Sequence, residues 1–192
     1  LHSMARDFLL GQFDKLPVQE RRACYERAAA WYADHELFQD AARHALAAGN
    51  DEAAVAHVAR CLRDIAREGR LAEAREWIRR LPPQAVARDV HLQITVAWIT
   101  ALGEAASTVP SLIEQISRHP LFDEQCRFET ALVAAGAGTF LDQPGLITDA
   151  LRDLGPIPPQ VTSLHRASLA NSRASLALLE GGAAIGVETY IG

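Results

Sequence analysis

The nearest approach to a catalytic motif is His35-Glu36-Leu37-Phe38-Gln39. A zinc-hydrolase helix needs two histidines four residues apart as ligands, with a glutamate between them as general base. Gln39 stands where the second histidine belongs, and Glu36 falls at a predicted inter-helix turn. His57 and Cys61 are four apart and share a helical face, which suits half a metal site. No second ligand pair accompanies them, so packing against neighbouring helices is expected instead. Gly136-Ala137-Gly138 lacks the third glycine and the preceding strand of a dinucleotide fingerprint, and the chain has no P-loop or nucleophile elbow. No catalytic residue and no metal ligand is assigned, and the chain is expected not to be an enzyme.

Residues suited to binding are easier to name. Trp31 and Trp77 are large aromatic anchors expected to line a concave face, where repeat proteins hold ligands. Trp98 sits in the uniformly apolar stretch from Val96 to Leu102 and is expected in the core. Arg60, Arg63 and Arg67, continued by Arg70, form a basic stripe able to take an anionic ligand or acidic partner. Asp64 and Glu68 are interleaved with them, as on an ordinary solvated helix edge. His44 is expected to fix a hairpin rather than to bind.

Composition narrows the classes. The 192 residues are 49% hydrophobic and 22% charged, ordinary for a chain with a sizeable core. Net charge is −5, and eighteen of the nineteen basic residues are Arg, the exception being Lys15. A mildly acidic chain lacks the basic footprint of a nucleic-acid-binding domain, so no direct nucleic-acid contact is expected. Cys24, Cys61 and Cys126 are odd in number and far apart, which argues for a reducing cytoplasm. The longest apolar run, Ala131 to Leu141, is too short and too glycine-rich to span a membrane. The chain begins at Leu1 without a signal peptide, as expected of a piece of a longer protein.

The elements that must position these residues are helices. Tyr25, Ala28, Ala29 and Tyr32 form one stripe at helical spacing; Val55, Val58, Ala59, Leu62, Ile65 and Ala66 form a second. Leu71, Ala74, Trp77, Ile78 and Leu81 form a third. Breaks at Gly49-Asn50-Asp51, Glu68-Gly69-Arg70, Leu102-Gly103-Glu104, Gln143-Pro144-Gly145 and Gly155 to Pro159 punctuate the chain. The pattern predicts helices over 3–13, 18–34, 37–48, 51–67, 71–81, 89–102, 109–118, 123–135, 144–154 and 161–180.

Shifting the chain by 33 residues superposes Tyr25 on Val58, Ala29 on Leu62, Tyr32 on Ile65 and Ala41 on Ala74. That is the period of a tetratricopeptide-like (TPR-like) helical pair, in which small residues let the second helix sit close to the first. The expected fold is all-α, with antiparallel helical hairpins stacked as a TPR-like right-handed α-solenoid. The register is unclear beyond about residue 120.

Two segments carry a family resemblance: Leu1-His2-Ser3-Met4-Ala5-Arg6-Asp7-Phe8-Leu9-Leu10, and RAAAWYADHELFQDAARHALAAG from Arg27 to Gly49. Together they resemble the maltose-regulator-like (MalT-like) family of large ATP-binding LuxR-type transcription regulators. The resemblance implies a winged-helix tail over 1–16 and a helical-repeat domain over 17–192. It implies an ATP- or ADP-binding domain upstream and a DNA-binding helix-turn-helix downstream, both outside this chain, with no cofactor held here. By the same resemblance His2 would touch the nucleotide. The repeat surface would receive a small-molecule inducer or regulatory protein and signal to the chain's own ATPase domain. The alternative expectation is a free-standing TPR-like adaptor for protein–protein interaction.

Overall fold

The computed structural model describes residues 3–180; His2, the expected nucleotide contact, lies outside them. Every regular element among the described residues is helical, as the periodicity predicts. None of these helices is long and apolar enough to cross a membrane. The chain divides into two compact units, the break falling between Val86 and Ala87.

The first unit holds α1 (Ser3–Phe13), α2 (Val18–Asp34), α3 (Phe38–Ala47), α4 (Asp51–Arg67), α5 (Leu71–Arg80) and the single turn α6 (Pro83–Val86). The starts of α2 and α4, and those of α3 and α5, are each 33 residues apart, so two helical pairs repeat at the predicted period. The expected end of the winged-helix tail, at residue 16, lies in the turn between α1 and α2. α3 presents Ala41, Ala42 and Ala45, all buried, and packs against both α2 and α4. Alanine gives little apolar area but permits close helix approach. The greasy content comes from α4, where Val58, Leu62 and Ile65 are buried, each stabilising by roughly 1.5–3 kcal/mol.

The turns explain why the helices stop where they do. Gly49 and Gly69 adopt left-handed backbone, and the next residue's N–H closes on a carbonyl five residues back: Asn50 to Ala45 and Arg70 to Ile65. The Asn50 side chain then accepts from the Ala53 N–H at 3.0 Å and caps α4. α2 ends in the same way, Leu37 N–H reaching the Tyr32 carbonyl, but its left-handed residue is Glu36, with φ 60°. A residue with a Cβ pays on the order of 1 kcal/mol there.

The second unit holds α7 (Val90–Ala101), a 3₁₀ turn (Ala106–Thr108), α8 (Val109–Ser117), α9 (Glu124–Phe140), α10 (Pro144–Arg152) and α11 (Ser163–Leu179). α9 is central and packs against α7, α8, α10 and α11. It buries Phe128, Leu132, Val133, Ala135 and Ala137. Side-chain caps start three of these helices: Asp89 accepts from Leu92 N–H, Asp123 from Cys126 N–H and Thr162 from His165 N–H. Trp98 packs between two apolar clusters, one around Ile94, Val109 and Val133, the other around Phe128, Leu132 and Leu169.

One departure from the sequence expectation has a physical cause. The predicted end of α9 at residue 135 is too early, because Gly136 and Gly138 continue the helix. Gly138 lets α10 come close: a Cβ there would stand 2.8 Å from Ile147 Cγ1 and 3.1 Å from Ile147 N. The residue eleven positions after the start of α2, α4, α7, α9 and α11 is Ala29, Leu62, Ala101, Ala135 and Ala174, and each is buried.

Candidate functional site

In the first unit Trp31 and Trp77 have opposite fates. Trp77, on α5, is 2% exposed, with the guanidinium groups of Arg43 and Arg80 at 5.6 and 5.8 Å from its ring centroid. It therefore packs inside and does not line an open face as expected. Its position within the stripe Leu71, Ala74, Trp77, Ile78 is the signal for burial. Trp31, on α2, lies outside the Tyr25, Ala28, Ala29, Tyr32 stripe and is 53% exposed. One face of its ring stacks on His35 at 4.0 Å, and His35 Nδ1–H donates to the Trp31 carbonyl at 2.7 Å. Behind it runs a relay of rings: Tyr32 on His44 at 5.0 Å, His44 near Tyr25 at 5.9 Å, and Tyr25 edge-on to Phe13 at 5.2 Å. His44 thus sits among the α2 tyrosines, and Phe13 brings in α1.

The arginine stripe on α4 is largely engaged within the fold. Arg60 lies over the Phe38 ring at 4.3 Å, Arg67 meets Asp64 at 3.6 Å, and Arg70 pairs with Glu68 and Glu73, both at 2.7 Å. Arg63 also has a partner. These pairs are solvent-exposed and stabilise little. An anionic partner would therefore compete with existing contacts.

A cavity of about 280 Å³ opens between α2, α3 and α4. Ala29, Ala45 and Ala53 form its apolar wall, and Glu26, Asn50 and His57 supply polar groups. Partial burial, helped by the nearby Arg60 charge, holds the His57 imidazole below its ordinary pKa, so it is neutral at pH 7. Burial pushes the Cys61 thiol up to about 11, and its Sγ faces the Val58 carbonyl at 3.6 Å. A thiol held protonated is a poor nucleophile and a poor ligand. Among the described residues no three of His, Cys, Asp and Glu gather as a metal site would require.

In the second unit a larger cavity of about 670 Å³ lies between α8, α9 and α10. Ile113, Phe122, Ala131 and Ala150 line it together with Arg127 and Arg152. On α9 as well, Glu129 is 5% exposed and faces His165 of α11, itself 4% exposed, with Oε1 to Nε2 at 3.8 Å. Gln125 Nε2 donates to the same carboxylate oxygen at 2.7 Å, and Phe128 meets the imidazole edge-on. Sequence reading missed this pair, because neither residue belongs to a motif; only the fold brings 129 and 165 together.

Comparison with known proteins adds a context. The chain is similar to the serine/threonine-protein kinase PknK of Mycobacterium tuberculosis and of Mycobacterium bovis, 25% identical over 182 residues. The match covers 88% of this chain but only 16% of each relative, so the chain spans about a sixth of the length of the curated relatives it matches. No family model matches the chain, and no solved structure matches it. The expectation that the chain is not an enzyme is corrected by this similarity: the relatives are kinases, and the chain is similar to part of such an enzyme.

Proposed function

We propose that this chain is the signal-receiving helical-repeat part of a larger cytoplasmic regulatory protein built like the MalT-like LuxR-type regulators. The observation that carries the reading is the recurrence of the helical pair at 33 residues, with Ala41 and Ala74 buried at the same place in each. Such pairs offer surface for docking beyond what their own cores consume. In this reading an inducer or regulatory protein binds one arrangement of the helices better than another and shifts the state of an attached ATPase domain. ATP or ADP belongs to that attached domain, and DNA contact to a helix-turn-helix elsewhere in the parent protein. The exposed Trp31 ring and the arginine edge of Arg60, Arg63 and Arg67 are the surface the partner would meet in the first unit.

A second reading is favoured by the similarity to PknK: the parent protein would be a serine/threonine kinase, with this chain as its regulatory segment. One experiment separates the two. The parent reading frame is sequenced on both sides and expressed whole, then assayed for nucleotide occupancy and for serine/threonine phosphorylation. A nucleotide-binding domain upstream with a helix-turn-helix downstream is the expected result. A kinase domain with phosphorylating activity selects the second reading, and a frame carrying neither overturns both.

A further inference from the structure

We propose that the groove between α8, α9 and α10 binds a small organic anion with an apolar body. Its volume, about 670 Å³, lies in the range of small-molecule sites, roughly 300–1,000 Å³. Ile113 and Phe122 contribute partly buried apolar faces on one side, and Ala131 and Ala150 extend them across α9 and α10. That surface suits an aliphatic or aromatic body.

The polar groups decide the sign of the head. Thr130 donates its hydroxyl proton to the Cys126 carbonyl at 2.9 Å, and Ser117 donates to the Glu114 carbonyl at 2.8 Å. Neither hydroxyl has a proton left to offer a ligand. Arg152 spends Nη1 on Asp149 at 2.9 Å. The exposed Arg127 lines the groove, and its guanidinium makes no hydrogen bond or ion pair among the described residues. With Arg152 paired to Asp149, Arg127 is the lining cation that no acid engages among the described residues. A guanidinium with all its donors unspent is matched by a carboxylate, sulfonate or phosphate, which it can grip with two bonds. As the inducer class of the proposed signal reception, this ligand rests on that reading; as a binding site, the groove stands on its geometry alone.

The test uses the full chain and 8-anilinonaphthalene-1-sulfonate, an aryl anion that brightens when bound, beside the uncharged N-phenyl-1-naphthylamine. The expected result is saturable one-to-one binding of the anion, displaced by octanoate, with the neutral dye bound at least about tenfold more weakly. Arg127→Gln should weaken the anion by a similar factor, and Ala134→Leu, which fills the groove, should weaken both dyes. Arg173→Gln on α11 should change nothing. Circular dichroism of each variant confirms that the helices persist. Equal affinity for the two dyes, or undiminished binding by a folded Arg127→Gln protein, overturns the proposal. Reading the flanking frame tests the regulatory role separately, so the two failures are told apart.

Discussion

Replacing Gly138 by alanine sets two effects against each other within one helix. Alanine inside a helix is worth about 1 kcal/mol over glycine, because it lowers the entropy of the unfolded chain and shields backbone. At position 138 the new Cβ would stand 2.8 Å from Ile147 Cγ1, 3.1 Å from Ile147 N and 3.2 Å from the Gln143 carbonyl oxygen. Two of those three atoms are backbone at the start of α10, so a rotamer change cannot relieve the clash. α10 must move as a body, and overpacking of this kind costs about 1–3 kcal/mol. The net expectation for Gly138→Ala is a destabilisation of up to about 2 kcal/mol. Gly136→Ala is the internal control, two residues earlier in α9, where the nearest atom to a new Cβ is Trp98 Cζ3 at 3.8 Å, ordinary contact. It should stabilise by up to about 1 kcal/mol. Followed by circular dichroism, the two variants should melt on opposite sides of the parent, each kcal/mol moving Tm by about 2–4 °C. If both raise Tm alike, close approach is not what keeps position 138 glycine.

Other expectations follow from burial and charge. Trp77→Ala should cost about 3–5 kcal/mol in urea unfolding, whereas Trp31→Ala should cost under about 1 kcal/mol and remove the most solvent-exposed of the three tryptophan emissions. The N–H of Cys126 bonded to Asp123 holds that carboxyl below its ordinary 3.8, so the cap is fully charged above that pH and its contribution fades as pH falls through the lowered folded value. Asp123→Asn keeps an acceptor that does not titrate, and the stability difference between parent and variant, measured across pH 3–6, should therefore hold steady above about pH 5 and narrow as pH falls below 3.8. Cys61 and Cys126 both titrate near 11, so their alkylation by iodoacetamide, mapped by mass spectrometry, should rise about tenfold per pH unit through the alkaline range. Fast labelling of Cys61 at pH 7 would contradict its burial.

Where the sequence carried helical period and glycine punctuation, it was readable residue by residue. α2 and α4 begin and end where the stripes and caps place them, because Asn50, Gly49 and Gly69 act through local backbone chemistry. Reading failed where a local rule was broken for tertiary reasons. Glu36 and Asp142 terminate helices in left-handed backbone without being glycine, and Gly136 and Gly138 continue one despite being glycine. Facing was harder than existence. α2 carries Ala28, Ala29 and Ala30 in succession, three residues alike in hydrophobicity, so its buried side is weakly marked. The candidate groove was invisible, since Ile113, Arg127 and Arg152 meet only when three helices pack. The Glu129–His165 pair was invisible for the same reason.

Packing that stays close in sequence shapes how the chain reaches this state. α2 meets α3, α3 meets α4 and α4 meets α5; beyond Val86, α9 packs chiefly against its sequence neighbours α7, α8, α10 and α11. Few segments must therefore search for a distant mate, so the entropy of loop closure stays small and folding should be rapid, in milliseconds or less on the order expected for local helical topologies. The stretch through α5 can settle while residues beyond Val86 are still emerging from the ribosome, at about 5–20 residues per second.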